Sequence, residues 1–412
     1  MASAYFNDIS IIFLGGFVMA LSMERWNLHK RIALFVMVKT GKNLGFLLFG
    51  FMSIGYFMSM WASNTATALI LIPNGIAIIE GLESTTKKEN VQPFSIGLFL
   101  GIAFSCNIGG ITTTVGTPPN LIFFQQYQKF FPDNPIPTFF QWLIYGFGLS
   151  FVFQIILFIL IYVFYVLRTY YYIRKSQREE NENLIQNGDS ENVPSTNLID
   201  ISPLEEELKN LGMMKFEEYV IAISFLILII LWTTRSGIAK IPGWAHLFPI
   251  GFPTDGTPAV LMAFILFIIP ARNSPVDLST GEIDNQVHCV MDWQTMKNFP
   301  WDIILLFGGG FALADGFIVS GLSEFIAHKM ILLKTVPIIL LIGLVCFTVI
   351  SVTSVTSNIA TTQIFLPILS SLSTAVNIHP LYLMIPATIS ASFAFLLPVS
   401  TAPNMIAFTT KR

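Results

Sequence analysis

The chain has 412 residues, of which 53% are hydrophobic and only 11% charged, and its formal net charge is −3. A soluble domain carries about 25% charged residues, so the composition excludes a soluble globular protein and indicates an all-α polytopic membrane protein. Three scattered cysteines (Cys106, Cys289, Cys346) lack metal or disulfide spacing, and the small net charge gives no support to a nucleic-acid partner.

The start has no basic n-region, so no cleavable signal peptide is expected. Stretches of roughly 20 apolar residues mark the crossings. The first covers about 8–24. A basic segment with Arg25, Lys30, Arg31 and Lys39 follows and suits a helix lying along the membrane surface. The run from Asn43 to Ile79 contains no Asp, Glu, Lys or Arg. It is too long for one span and breaks near Ser63-Asn64, which predicts a re-entrant hairpin. Residues 94–124 read as one crossing interrupted by Gly109-Gly110 and by Gly116-Thr-Pro-Pro-Asn120. Another crossing covers about 139–167.

The one long hydrophilic segment, about 168–217, opens with Arg168, Arg174, Lys175 and Arg178 and continues through Glu179, Asp189 and Glu205. Its composition predicts a disordered linker, and its basic start assigns it to the cytoplasm. Spans follow at about 218–234, 256–271 and 301–326, then a second hairpin at about 335–376 and a broken crossing at about 380–408. The expected division is 1–42 (scaffold span and surface helix), 43–167 (first transport half), 168–217 (linker), 218–334 (second scaffold spans) and 335–412 (second transport half).

A shift of 294 residues, from Asn64 to Asn358, lays the chain on itself. Asp8 falls on Asp302, Gly15 on Gly309, Ser63 on Ser357, Thr67 on Thr361 and Pro73 on Pro367. Farther on a shift of 284, from Asn120 to Asn404, puts Gly116-Thr-Pro-Pro-Asn120 on Ser400-Thr-Ala-Pro-Asn404. Counting crossings, the two copies run in opposite directions. Inverted repeats with discontinuous helices are the sequence mark of alternating-access transporters.

The chemistry of the repeated motifs agrees. A turn at Ser-Asn-Thr frees backbone carbonyls and amides from helical bonding. Carbonyls with Ser, Thr and Asn oxygens make a neutral oxygen cage suited to Na⁺, while helix N-termini and amide donors suit a carboxylate. A proton-coupled carrier would place a carboxylate or His within a span, and none stands beside either motif. Gly15-Gly16 and Gly308-Gly309-Gly310 read as close helix packing. Glu24, Asp302 and Asp315 read as span-end charges, and Trp26, Trp61, Trp244 and Trp301 as interface anchors. No cofactor and no metal other than Na⁺ is expected.

On Phe13-Leu-Gly-Gly-Phe17, Glu24-Arg-Trp-Asn-Leu-His-Lys-Arg-Ile-Ala33, Met60-Trp-Ala-Ser-Asn-Thr-Ala-Thr67, Gly116-Thr-Pro-Pro-Asn120, Ser357-Asn-Ile-Ala-Thr-Thr362 and His379-Pro-Leu-Tyr382, the chain resembles the divalent anion/sodium symporters. The resemblance is strongest to the animal sodium-dependent dicarboxylate and citrate cotransporters. It implies an elevator-type, homodimeric Na⁺-coupled symporter of di- or tricarboxylates in the plasma membrane, surrounded by lipid. It also implies one Na⁺ site of Ser59, Ser63, Asn64 and Gly116, and a second of Thr353, Ser357, Asn358 and Ser400. Substrate would touch Asn64, Thr65, Thr117, Asn358, Ile359 and Ala402. Ile359 stands where the simplest motif has Thr, and Ser400 where Ala is common. The family pattern leads one to expect three spans ahead of residue 8 and one after the last broken helix, so the chain reads as truncated at both ends: a fragment, an incomplete gene model, or a protein not functional as written. A sulfate or phosphate carrier is the alternative within transport; a non-transporting membrane sensor or assembly subunit is the alternative outside it.

Overall fold

The computed structural model describes residues 8–40, 43–187, 202–237, 242–249, 252–273, 289–322, 325 and 334–410. Every extended element among them is a helix; the one β contact is an isolated bridge between Pro270 and Cys289. By length and apolarity five described helices can cross a membrane, and a bent pair makes a sixth.

That pair is α1 (Asp8–Arg25) and α2 (Leu28–Lys39), which meet at 64°. Asn27 takes the left-handed conformation at the corner, φ 57°, which Asn tolerates better than most residues. The corner is tied down by Arg25, which pairs with Asp292 at 2.6 Å, and by Trp26, whose Nε1 donates to Val290 O. Trp26 is therefore a core residue, 2% exposed, and not the surface anchor expected of it. An apolar ring with one N–H can go inside once that N–H has a carbonyl. Gly15 does what its position suggests: a Cβ there would stand 2.5 Å from the backbone of Ala259 on α11 (Gly256–Ile268).

The uncharged run beginning at Asn43 forms α3 (Leu44–Ser59) and α4 (Asn64–Thr85), joined by a turn over 60–63. Asn43 caps α3 by accepting from Gly45 N, and Ser63 caps α4 by accepting from Ala66 N. Both helices pack on α5 (Lys88–Gly110). That helix starts six residues ahead of its sequence estimate, with Pro93 inside it. The chain unwinds over 111–117 and re-forms as α6 (Pro118–Phe130). Then α7 (Phe139–Ile161) runs through a π turn (Tyr162–Val166) into α8 (Leu167–Asn187). One face of α7 presents Ile144, Tyr145, Phe151 and Ile155 outward, as a lipid-facing helix does.

The hydrophilic segment 168–217 departs from the disorder expected of it. Its first part is α8, which simply continues the span, and a further helix, α9 (Ser202–Asn210), packs on α2. Composition missed this because the anchoring groups are few and distant. Leu204 is buried, and Arg31 donates to the carbonyls of Leu211 and Gly212 and pairs with Glu218. Residues 188–201 lie outside the described residues. The remaining helices are α10 (Phe216–Thr234), α11, α12 (Trp301–Val319), α13 (Ile338–Thr353), α14 (Asn358–Val376), α15 (Leu381–Ala391) and α16 (Ala402–Thr409).

Element boundaries recur along the chain. Helices α3 and α13 are both 16 residues long and both end at the residue 294 positions away from its counterpart, Ser59 and Thr353. Helices α4 and α14 both start at Asn after a Ser in near-identical backbone conformation and both carry an internal Pro. The two sets also interlock: α4 packs on α16, and α14 packs on α6. The second helix of each pair thus rests on the re-formed helix of the other set.

Candidate substrate and cation site

The interlocking brings four helix N-termini to one place. Ser63 and Ser357 precede α4 and α14 with φ,ψ of −64°,141° and −67°,138°. Thr117 and Thr401 precede α6 and α16 with −150°,142° and −141°,151°, each followed by Pro in the first turn. Pro at that position sacrifices an N–H that has no helical partner anyway. Around these ends lies a cavity of about 400 Å³. Ten of the residues expected from the motifs line it: Ser63, Asn64, Thr65, Gly116 and Thr117 from the first set, Ser357, Asn358, Ile359, Ser400 and Ala402 from the second. Helix N-termini give it a positive electrostatic bias, and none of the described lining residues is basic.

Ser59 and Thr353 stand behind this wall, both fully buried. The Ser59 hydroxyl lies beside the Cys106 thiol and makes no hydrogen bond of ordinary geometry. Asn64 donates weakly to Asn107 Oδ1 at 3.5 Å, while its own Oδ1 is buried without a donor. A Cβ built on Gly110 would lie 2.8 Å from Asn64 Oδ1 and 3.2 Å from Gly116 O. One built on Gly116 would lie 2.5 Å from Gly110 O and 3.0 Å from Met60 O. Backbone and amide oxygens thus crowd a corner that only glycine leaves open. Hard neutral oxygens with few donors are the ligand set of an alkali cation rather than of a transition metal.

The second corner repeats the plan with more hydroxyls. Thr353 Oγ1 lies 2.8 Å from Asn358 Oδ1 and 2.7 Å from Ala391 O. Ser400 Oγ lies 2.8 Å from Ala394 O and 2.5 Å from Leu397 O. Each hydroxyl has one proton to offer two oxygens, so oxygen is again in excess. Asn120 Nδ2 donates to Gly110 O and Asn404 Nδ2 to Ala394 O, the same bond at the same 284-residue shift.

Sequence reasoning missed Asn107. It is 1% exposed, lines the cavity, and donates to Thr401 Oγ1 and Asn404 Oδ1, both at 3.3 Å, while receiving the Asn64 amide. It is the side chain that joins the two corners. The available signal was an amide in the otherwise apolar run Ala-Phe-Ser-Cys-Asn-Ile-Gly-Gly, where an unpaired polar group is costly. Glu24 was read as a span-end charge, yet it too lines the cavity.

All 412 residues match the family model described as the sodium:sulfate symporter transmembrane region. The chain belongs to this family. Among similar proteins is the sodium-dependent dicarboxylate transporter SdcS of Staphylococcus saprophyticus. It is 36% identical over 414 residues, covering 100% of this chain and 72% of the relative. The SdcS protein of Staphylococcus aureus is also 36% identical, over 99% of this chain and 71% of the relative. Membership in the sodium:sulfate symporter family makes the chain an integral membrane transporter, not an enzyme.

Proposed function

We propose that this protein is a Na⁺-coupled symporter of dicarboxylates, succinate and malate first and citrate second, acting in the plasma membrane. The observation that carries the reading is the convergence of four helix N-termini on one cavity beside two corners rich in neutral oxygens. Ser59, Ser63, Asn64 and Gly116 hold one Na⁺, with Met60 O and Gly110 O close by. Thr353, Ser357, Asn358 and Ser400 hold the second. The anion lies between them against Asn64, Thr65, Thr117, Asn358, Ile359 and Ala402. Among the described residues no side-chain cation lines the cavity, so Na⁺ supplies the neutralising charge and binds first. A dicarboxylate substrate is favoured over sulfate because Ile359 puts an alkyl group where a compact oxyanion needs a donor, and because the relatives named above carry that substrate in their names.

In this reading the recurring boundaries reflect an inverted repeat. The helix pairs α3/α4 and α13/α14 are re-entrant hairpins, and α5/α6 and α15/α16 are broken helices. Together they travel as an elevator against a scaffold of α1, α10, α11 and α12 in a homodimer. The deciding experiment is uptake of labelled succinate, citrate, sulfate and phosphate into proteoliposomes. Succinate uptake should vanish when choline replaces Na⁺ at constant pH. Uptake undiminished without Na⁺, or driven by a pH gradient alone, overturns the proposal.

A further inference from the structure

One amide at the centre of the site departs from the internal repeat. At the 284-residue shift the groups that meet there pair off: Thr117 with Thr401, Asn120 with Asn404, and Gly110 O with Ala394 O. Asn107, in the last turn of α5, falls instead on Ala391. The hydrogen bonds record the difference. Asn404 Oδ1 accepts from Asn107 Nδ2, whereas Asn120 Oδ1 is buried with no partner among the described residues. Asn107 is itself only 1% exposed, and a buried amide is costly unless it is bonded. Its bonds all go to residues of the two cation corners or of the helices that carry them.

We propose that Asn107 is a positioning residue that couples the two corners, so that Na⁺ entering the Gly116 corner prepares the Ser400 corner for the second ion. The inference rests on the reading of those corners as Na⁺ sites. A neutral amide accepts at one end and donates at the other. Asn107 Oδ1 faces Asn64 Nδ2 at 3.5 Å, and Asn107 Nδ2 donates to Thr401 Oγ1 and Asn404 Oδ1, both at 3.3 Å. Asn404 Nδ2 in turn donates to Ala394 O at 2.7 Å and stands 3.4 Å from Ser400 Oγ. A row of amides thus runs from Asn64 at the first corner to the oxygens of the second. The bonds made by Asn107 are at the long end of the hydrogen-bond range, so they have room to tighten. A cation on Asn64 Oδ1 draws electron density from that amide and makes its Nδ2 a stronger donor, and each bond in a chain polarises the next. The coupling is reciprocal: an ion in the second corner favours the first by the same factor. Ala391 offers no amide for a mirrored row, so Asn107 carries this connection alone.

The test is equilibrium binding of radiolabelled Na⁺ to the purified protein, read by scintillation proximity without substrate, so that coupling between ions is measured apart from transport. Coupled sites give a Hill coefficient that rises toward the number of sites, and independent ones give about 1 or less. Wild type should give a coefficient above about 1.5. Asn107→Ala should bring it to about 1 or below while both ions still bind, because neither corner has lost a ligand. Asn107→Leu, which fills a similar volume with an apolar group, should do the same and serves if Asn107→Ala does not fold. A purely structural role would lower the amount of Na⁺ bound and leave the coefficient of the surviving protein unchanged. A wild-type coefficient in folded Asn107→Ala, or in Asn107→Leu should that variant alone fold, overturns the role of Asn107. A coefficient of about 1 in the wild type overturns the coupling itself. Wild type that binds no Na⁺ saturably overturns the two-cation reading and the role of Asn107 with it.

Discussion

The Gly116 corner and the Ser400 corner are equivalent in sequence yet finished differently. In the first, backbone oxygens of Met60, Gly110 and Gly116 approach one another because no side chain intervenes, and Asn64 Oδ1 and Ser59 Oγ lack donors. In the second, the Thr353 hydroxyl shares its one proton between Asn358 Oδ1 and Ala391 O, and Ala394 O accepts from Asn404 Nδ2. The first corner thus keeps two side-chain oxygens with no donor, although Met60 O and Gly110 O have theirs in Thr113 and Asn120, whereas in the second each acceptor has at least a share of one. Buried acceptors without donors cost free energy until something positive meets them. The first corner should therefore gain more from a cation, and its members should matter more to coupling than their counterparts.

The largest effect should come from Gly116→Ala against Ser400→Gly. The added methyl would meet the Gly110 carbonyl at 2.5 Å, and backbone cannot swing away as a side chain can. Na⁺-dependent uptake by Gly116→Ala should fall to background in protein that still elutes as a folded species from size-exclusion. Ser400→Gly, which restores the first corner's residue type, should change half-saturating Na⁺ by no more than about threefold. Equal losses in the two variants would erase the asymmetry.

Next come the two asparagines. Asn64→Ala removes an oxygen with no other donor, and its loss from a desolvated site should cost about 1–3 kcal/mol, or on the order of 10- to 100-fold in half-saturating Na⁺. Asn358→Ala frees Thr353 Oγ1 to bond fully to Ala391 O, so its cost should sit at the lower end, about 1 kcal/mol. Titrating uptake against Na⁺ for both variants ranks them directly. A larger shift for Asn358→Ala would reverse the assignment of the more demanding corner.

A smaller and sharper contrast lies behind the wall. Ser59→Ala deletes a hydroxyl with no ordinary hydrogen bond, so thermal stability should move by less than about 0.5 kcal/mol while half-saturating Na⁺ rises. Thr353→Val deletes the donor to Ala391 O and should cost about 1–3 kcal/mol of stability as well. Melting curves and Na⁺ titrations on the same samples separate the two. Loss of stability without loss of Na⁺ affinity at Ser59 would make it a packing residue.

The smallest effect concerns pH. Neither corner contains a titratable group, whereas the Arg25–Asp292 pair, outside both, does. Burial pushes the Asp292 carboxyl up, and hydrogen bonds from Arg25 and from Thr295 more than reverse this, leaving its pKa below the ordinary carboxylate value. A depressed pKa gives stability that is complete above the unfolded value, about 3.9, and lost as pH falls through the folded one. Melting temperature should therefore be insensitive to this pair between pH 5 and 8 and fall below about 4. Asp292→Asn should lessen that acid-induced fall, and neither treatment should alter the ranking of the two corners.

Composition, the uncharged runs and the repeated Ser-Asn and Pro-Asn motifs were enough to read a helical membrane protein and ten of the residues that line its cavity. They sufficed because helix breaks in apolar sequence are local events: a capping Ser or a Pro in the first turn acts within a few residues, and a lipid-length run needs no partner to be recognised. What only the tertiary structure decided is how those breaks meet. The crossing of α4 onto α16 and of α14 onto α6 is a long-range choice, and it alone makes Asn107 a bridge between corners and turns Glu24 from a helix-end charge into part of the cavity wall. The structured ends of 168–217 were hidden for the same reason. Leu204, Arg31 and Glu218 are far apart in sequence, and a segment's own composition says nothing of the distant groups that hold it.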